Sequence, residues 1–163
     1  MNKSLLASDR MDWGTPPELV LAVTQIFGEL WLDVAATREN TVCPCYIPKE
    51  EDGLKRAWSR FPVWCNPPYG RDVGRWVDKA IHETTEGGCP LAVLLLAARP
   101  DTRWFQRAAE KAKIVAFIRG RLRFVGAPHP APFPSVLFAF GHDAKVLAPG
   151  ILRKLALPMR VVD

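Results

Sequence analysis

Four consecutive residues, Asn66-Pro67-Pro68-Tyr69, have side chains and carbonyls suited to chemistry on an aromatic amine. The lone pair of such an amine is delocalised into its ring, so the nitrogen is a poor nucleophile. Hydrogen bonds from the amine to the Asn66 side-chain oxygen and the Pro67 carbonyl would favour a pyramidal nitrogen with an available lone pair. The segment therefore predicts methyl transfer to an exocyclic amine, with alignment of the reactants lowering most of the barrier.

The two prolines and Tyr69 suit the same chemistry. Proline fixes φ and removes N–H donors, and Pro67 restricts Asn66 to extended geometry, so the carbonyls are held rigidly. Adenine inside a duplex hides its amine, and a flipped base would regain stacking on the Tyr69 ring. A rigid turn after a strand uses the same residue types, so the tetrapeptide alone allows both interpretations.

The sequence around the tetrapeptide predicts where it lies. Residues 62–65 form a short apolar run that ends directly at Asn66, and an apolar stripe of helical period covers residues 73–81. In an open α/β sheet, a loop between a strand and a helix lies where a substrate crevice forms. The placement therefore favours a functional site over a simple turn.

The remaining elements predict an α/β fold. Upstream, Thr15 as N-cap, Pro16 at the first helical position and Glu18 as capping-box partner predict a helix. Downstream, Asp101 predicts the N-cap of another helix. Strands are expected over residues 31–36, 91–97, 114–118, 121–125 and 136–140, with an irregular Pro-rich loop over 126–134. We expect three α/β/α layers and a reduced sheet, because residues 36–62 are too few for two further strand–helix units.

Size and composition limit the class of protein. The 163 residues predict one domain over 1–163 without a separate target-recognition domain, and 48% hydrophobic with 24% charged residues is typical of a soluble globular chain. The longest apolar run, residues 91–98, is too short to cross a bilayer, and the N-terminus lacks a signal-peptide pattern, so we expect a cytoplasmic protein. The net charge of +5 is compatible with a polyanionic partner.

Several segments together resemble the small phage-type DNA N6-adenine methyltransferase family, often called Dam-like. They are Asp12-Trp13-Gly14-Thr15-Pro16, Leu32-Asp33-Val34-Ala35-Ala36, Val63-Trp64-Cys65-Asn66-Pro67-Pro68-Tyr69, Leu94-Leu95-Leu96-Ala97, Trp104-Phe105 and Gly120-Arg121-Leu122-Arg123-Phe124. The resemblance implies a compact Rossmann-like methyltransferase fold that transfers a methyl group from S-adenosyl-L-methionine to N6 of adenine in DNA. Asn66, Pro67, Pro68 and Tyr69 would be the catalytic residues.

The resemblance also implies a set of cofactor-binding residues. Thr15 and Pro16 would help to hold the methionine end of the cofactor, Asp33 would take its ammonium group, and Asp52 would accept from its adenine amine. The full set is Trp13, Thr15, Pro16, Asp33, Ala35, Asp52 and Asn66. Helix capping alone would also explain Thr15, and a strand-end turn would explain Asp33. Ala36-Thr37-Arg38-Glu39-Asn40 stands where the family pattern has a Gly-rich loop.

Arginines near the tetrapeptide and after the central strand are the candidates for DNA contact. Arg suits bidentate contacts to phosphate and guanine, and alternation in a strand would put Arg119, Arg121 and Arg123 on one face. A solvated edge-strand face would look the same. The candidate DNA-binding residues are Arg71, Arg75, Arg99, Arg103, Arg121 and Arg123.

Other interpretations stay open from the sequence. The tetrapeptide also suits methylation of RNA adenine, cytosine N4 or a protein glutamine amide, and the basic charge would suit a non-enzymatic DNA-binding module of methyltransferase descent. Cys43-Pro44-Cys45 could form half of a zinc site, but no second close pair follows, so we expect free thiols and no metal. The oligomeric state is open between monomer and homodimer.

Overall fold

The computed structural model describes residues 13–58 and 60–144, and the backbone of residues 159–161. Asp12, part of the first segment of the resemblance, lies outside the described residues. In chain order the elements are α1 (Pro17–Phe27), β1 (Leu32–Asp33), β2 (Cys45–Tyr46), a 3₁₀ helix (Lys49–Glu51), β3 (Val63–Cys65), α2 (Val73–Thr85), β4 (Ala92–Ala97), α3 (Arg103–Lys111), β5 (Ile114–Phe117), β6 (Ser135–Phe140) and β7 (Met159–Val161).

The strands form a single mixed sheet in the order β2-β1-β3-β4-β6-β5-β7. The pairs β2–β1, β1–β3 and β3–β4 are parallel, whereas β6 is antiparallel to both β4 and β5, and β7 is antiparallel to β5. After β1 the chain adds β2 on one side and β3 on the other, so the order reverses at β1. This switch point is where parallel α/β sheets leave a crevice beyond the carboxyl ends of their strands.

Helices lie on both faces of the sheet, so the fold is a mixed α/β structure. Apolar side chains of α2 and α3, among them Val77 and Phe105, pack on one face against alternate residues of β4 and β6. On the other face, Val23 and Ile26 of α1 pack against the intervening residues of the same strands. All six residues of β4 are buried, because a central strand covered on both faces alternates between two cores.

Both predicted N-caps are wrong by one residue. Helix α1 starts at Pro17, its N-cap position is Pro16, and no side chain caps it, so neither the Thr15 cap nor the capping box forms. Helix α3 is capped by Thr102, whose hydroxyl accepts from the Phe105 N–H, rather than by Asp101. The N-cap position of α1 falls on a proline, which has no side-chain oxygen to cap the helix, whereas in α3 a threonine one position after the predicted aspartate supplies the cap.

The sheet also differs from the prediction at its edges. The strand predicted over residues 31–36 is reduced to Leu32–Asp33, and β2 and β7 were not predicted. Residues 121–125 form no strand; their one ladder contact is an antiparallel bridge between Gly14 and Val125. The predicted alignment of three arginines on one strand face is therefore wrong. Between β1 and β3, the described residues hold one two-residue strand and one 3₁₀ helix, in keeping with the prediction that this segment is too short for two further strand–helix units.

Candidate active site

A cavity of about 660 Å³ opens beyond the carboxyl ends of β1 and β3. Three chain segments supply most of its wall: the segment before α1, the turn after β1 and the region around the 3₁₀ helix. Residues from the sequence-predicted site that line it are Trp13, Thr15, Asp33, Ala35, Asp52, Asn66, Pro68, Arg71 and Arg75. The structure therefore brings together segments that lie far apart in the chain.

Asn66 follows β3 directly, and two hydrogen bonds fix its side chain. Its amide nitrogen donates to the Trp13 carbonyl at 3.0 Å and to the Thr15 hydroxyl at 3.4 Å. A carbonyl oxygen can only accept, so the nitrogen of the amide must face Trp13 and the amide oxygen must point away from it. Among the described residues no donor occupies that oxygen, which leaves it as an acceptor on the cavity wall.

The segment that holds Asn66 is itself attached to the far side of the sheet. The Val125 N–H donates to the Gly14 carbonyl at 2.9 Å, and the Trp13 ring lies 5.7 Å from the Phe124 ring between centroids. A Cβ at Gly14 would lie 3.2 Å from the Val125 Cβ, so the two backbones approach closely. Residues 13–15 thus act as a strap between Asn66 and the residues before the Pro-rich loop.

Asp33 is the most deeply buried carboxyl group of the cavity wall, at 3% exposure. Its two oxygens accept from the Ala35 N–H at 3.3 Å and the Val42 N–H at 3.2 Å. Burial disfavours the charged form and outweighs these hydrogen bonds, which raises the pKa of Asp33 to about 6. The group is therefore mainly ionised at neutral pH and is placed to attract a cation.

One side chain and one backbone hydrogen bond close the turn that replaces a Gly-rich loop. Asn40 accepts from the Thr37 N–H at 2.6 Å, and the Thr41 N–H donates to the Thr37 carbonyl at 3.0 Å. Thr37 and Asn40 both line the cavity. Because Asp33 holds the residues at both ends of this loop, no glycine is needed to fix its path.

The Asp52-Gly53 turn forms another wall of the cavity. Asp52 has a positive φ of 55°, and a Cβ at Gly53 would collide with the Val34 carbonyl oxygen. Trp58 anchors the turn, since its indole N–H donates to the Gly53 carbonyl at 2.8 Å. The Trp58 backbone N–H in turn donates to the buried Glu83 carboxylate of α2 at 3.1 Å.

Tyr69 lies outside the cavity wall, in an aromatic cluster of Trp13, Tyr69, Phe124 and Phe133. Its ring meets Phe124 and Phe133 edge to face at centroid distances of 5.9 and 5.3 Å. Its hydroxyl donates to the Leu95 carbonyl at 3.3 Å, and burial raises the pKa of Tyr69 well above its usual range. Pro67 is buried and Pro16 lies at the start of α1; neither lines the cavity.

The predicted DNA-binding arginines separate into two groups. Arg71 and Arg75 line the cavity, and Arg75 forms an exposed ion pair with Asp72 at 3.3 Å. The others are exposed and do not line it: Arg99, Arg103, Arg121 and Arg123. Arg123 donates to the Pro128 carbonyl at 3.3 Å, which connects it to the Pro-rich loop.

The structure also shows the state of the cysteines, the grouping of possible metal ligands and the character of the helices. All four cysteines are free thiols, and three of them are buried. Across residues 13–58 and 60–144, no three His, Cys, Asp or Glu side chains are grouped to hold a metal ion. None of the helices in this described part has the length and apolar character needed to cross a bilayer.

With this geometry established, comparison with known proteins identifies the family. The sequence profile described as DNA N-6-adenine-methyltransferase (Dam) matches residues 2–132. The chain belongs to this family. The resemblance inferred from the tetrapeptide and its flanking segments is thereby confirmed.

Two relatives give the extent of this Dam-family similarity. The chain is 36% identical over 112 residues to a DNA N-6-adenine-methyltransferase of Escherichia phage T1, covering 68% of this chain and 45% of that relative. It is 29% identical over 120 residues to a DNA N-6-adenine-methyltransferase of Haemophilus phage HP1, covering 72% of this chain and 68% of the relative. The chain thus spans less than half the length of the phage T1 relative.

Sequence reasoning missed several residues that shape the site in this family member. The sequence showed Asn40 only as the last residue of the segment that stands where the family pattern has a Gly-rich loop. Nothing in its spacing predicted the contact with Thr37. Trp58 and Glu83 are 25 residues apart in the chain, and a buried hydrogen bond between them supports the cavity wall. Phe133 lies in a loop without regular structure, and its ring position depends on tertiary contacts alone.

Proposed function

We propose that this protein transfers a methyl group from S-adenosyl-L-methionine to N6 of adenine in DNA. The observation that carries the proposal is the fixed orientation of Asn66, whose amide nitrogen is held by Trp13 and Thr15 while its oxygen stays available on the cavity wall. Family membership and the names of the two phage relatives support the same reaction.

The cavity suits the proposed cofactor in size and chemistry. Its volume of about 660 Å³ falls within the range of small-molecule sites. Asp33 would take the methionine ammonium and Asp52 the adenine amine, with Thr15 and Ala35 as neighbouring wall residues. When bound, S-adenosyl-L-methionine supplies a methyl group on a positively charged sulfur, whose leaving group is a neutral thioether. The strand order with its switch point at β1 supports a Rossmann-like methyltransferase fold.

In the proposed mechanism, Asn66 and Pro67 act on the target amine. The Asn66 oxygen and the Pro67 carbonyl accept the amine hydrogens, which favours a pyramidal nitrogen and aims its lone pair toward the cavity. The Trp13 and Thr15 contacts prevent rotation of the Asn66 amide, so no reorganisation is needed when the amine arrives. Tyr69 supplies a ring against which the flipped base stacks.

DNA is the proposed partner. Arg71 and Arg75 on the cavity rim and the exposed Arg99, Arg103, Arg121 and Arg123 would contact phosphates or bases, in keeping with the net charge of +5. We propose that residues 1–163 act as one methyltransferase domain in the cytoplasm of a bacterial or phage-infected cell. Arg71 lies in the loop before α2 and Arg75 in the first turn of that helix, so contacts from this one region beside the cavity would help to read the target sequence.

A labelled-cofactor assay tests the proposal directly. The protein is incubated with S-adenosyl-L-methionine carrying a labelled methyl group and, separately, with duplex DNA, RNA and a protein extract. After digestion we expect label in N6-methyladenine from DNA. Label solely in RNA, in N4-methylcytosine or in protein glutamine would contradict the proposed acceptor.

A binding measurement separates the enzyme from a non-enzymatic module. We expect calorimetry to detect S-adenosyl-L-methionine binding with a stoichiometry near one per chain. A protein that binds DNA but not the cofactor would refute methyl transfer and support a DNA-binding module instead.

A further inference from the structure

In the turn after β1, the oxygen and the nitrogen of the Asn40 side-chain amide have different surroundings. The Asn40 side-chain oxygen is occupied by the Thr37 N–H at 2.6 Å. Its amide nitrogen has two hydrogens, and no acceptor among the described residues takes them. The side chain is half-buried and lines the cavity, so these donors can be reached by a ligand that fills it.

The same stretch of wall holds a group of opposite character. Asp33 is an acceptor, and the turn carrying Asn40 is attached to it at both ends through the Ala35 and Val42 N–H groups. The small side chains of Ala35 and Ala36 leave the space beside these two groups open. An acceptor at the end of β1 and a donor pair in the turn attached to it complement a molecule that carries an ammonium and a carboxylate on the same carbon.

We propose that Asn40 is a cofactor-binding residue that donates from its amide nitrogen to the carboxylate of the methionine end, while its oxygen holds the Thr37 turn. The inference rests on the proposed function, since it assigns a further contact in the same cavity. It explains how the chain lacks a Gly-rich loop: a side-chain amide supplies the donor that backbone N–H groups of such a loop would supply.

Two cofactor forms and three variants test this contact. Calorimetry measures the affinity of each protein for S-adenosyl-L-methionine and for its decarboxylated analogue. Asn40→Ala should weaken binding of the intact cofactor by about tenfold or more, because a hydrogen bond to a charged group is lost, and binding of the analogue by less than about threefold. Glu39→Ala, an exposed change in the same turn, should leave both affinities within about twofold.

Asn40→Asp distinguishes a ligand contact from a purely structural role. The variant keeps an oxygen that accepts from the Thr37 N–H but loses the donor and adds a negative charge near the carboxylate. It should therefore bind the intact cofactor at least as weakly as Asn40→Ala, with an unchanged melting temperature. Normal binding by Asn40→Asp, or equal losses for both cofactor forms in Asn40→Ala, would overturn the inference. If the unmodified protein bound neither form, the proposed function itself would fall, and the inference with it.

Discussion

The two sides of Asn66 are built from different interactions. On the cavity side, polar groups shape the wall: Asp33 holds both ends of the following loop, Asn40 closes it, and Trp58 anchors the Asp52-Gly53 turn. On the other side, Tyr69 and its partners in the aromatic cluster fill the space with rings in edge-to-face contact. One side encloses an open volume, and the other is packed.

This difference would suit the two proposed ligands, the cofactor and the flipped base. A cofactor with separate charged and hydrogen-bonding groups needs fixed polar partners, and hydrogen bonds between side chain and backbone give those partners a defined direction. A planar base needs an aromatic ring on which to stack, and every base has a flat face that can do so. Packed aromatic side chains are therefore sufficient on that side of Asn66. Asn66 lies between the two sides, and its strap, residues 13–15, contacts both.

The largest effect should follow from removing the group that joins the two sides. Asn66→Ala deletes the free oxygen and should lower kcat by about 10²- to 10³-fold, the usual cost of losing one preorganised transition-state contact. Cofactor affinity measured by calorimetry should stay within about tenfold. A variant with near-normal kcat would contradict the proposed role of Asn66.

The second largest effect should follow from steric crowding at the Asp52-Gly53 turn, on the polar cavity side of Asn66. Gly53→Ala places a methyl group in collision with the Val34 carbonyl oxygen and 2.9 Å from the Trp76 ring, so the turn must move away from the end of β1. We expect the free energy of unfolding in urea to fall by about 3 kcal/mol, with weaker cofactor binding. The control is Gly120→Ala, which has a positive φ but open space and should cost only about 1 kcal/mol. Equal losses for the two variants would argue against a steric constraint at Gly53.

The charge on Asp33 in the cavity wall leads to a prediction about the pH dependence of cofactor binding. The pKa of Asp33 is about 6 in the free protein, and only its ionised form attracts an ammonium group. Cofactor affinity should therefore fall as the pH drops below about 6, by up to tenfold per pH unit for one proton. Asp33→Asn should bind about ten- to a hundredfold more weakly at pH 8 and lose this pH dependence. A wild-type affinity that is constant from pH 5 to 8 would rule out the proposed ammonium contact.

The smallest effects should come from the aromatic side. Tyr69→Ala removes the ring, and kcat/KM on DNA should fall roughly tenfold through lost stacking. Tyr69→Phe removes only the hydroxyl bond to Leu95 and should keep kcat/KM within about threefold. Thermal unfolding of both variants measures how much packing is lost. Unchanged kcat/KM in Tyr69→Ala would mean that the ring serves the aromatic cluster alone.

The sequence predicted those features that depend on local pattern. β4 was recognised because an unbroken apolar run is typical of a strand covered on both faces, and Asn66 was placed at a strand end because the run before it stops there. Both predictions needed only neighbouring residues.

Features set by distant contacts were mispredicted or missed. Thr15 has the spacing of a helix cap, but its hydroxyl accepts from Asn66, 51 residues later, so tertiary structure overrides the local preference. Residues 121–125 alternate like a strand, yet their single bridge is to Gly14, and a strand needs a ladder of partners. β2 has only two residues and forms through backbone pairing with β1, which its side chains do not reveal.

The bridge between Gly14 and Val125 sets an order of events during synthesis on the ribosome. Its two partners are about 110 residues apart in the chain. At typical elongation rates the second partner emerges about 5 to 20 s after the first. The strap that orients Asn66 therefore cannot reach its final position while β1 to β4 are being made, and the nascent chain lacks the finished surroundings of Asn66 until most of the sheet exists.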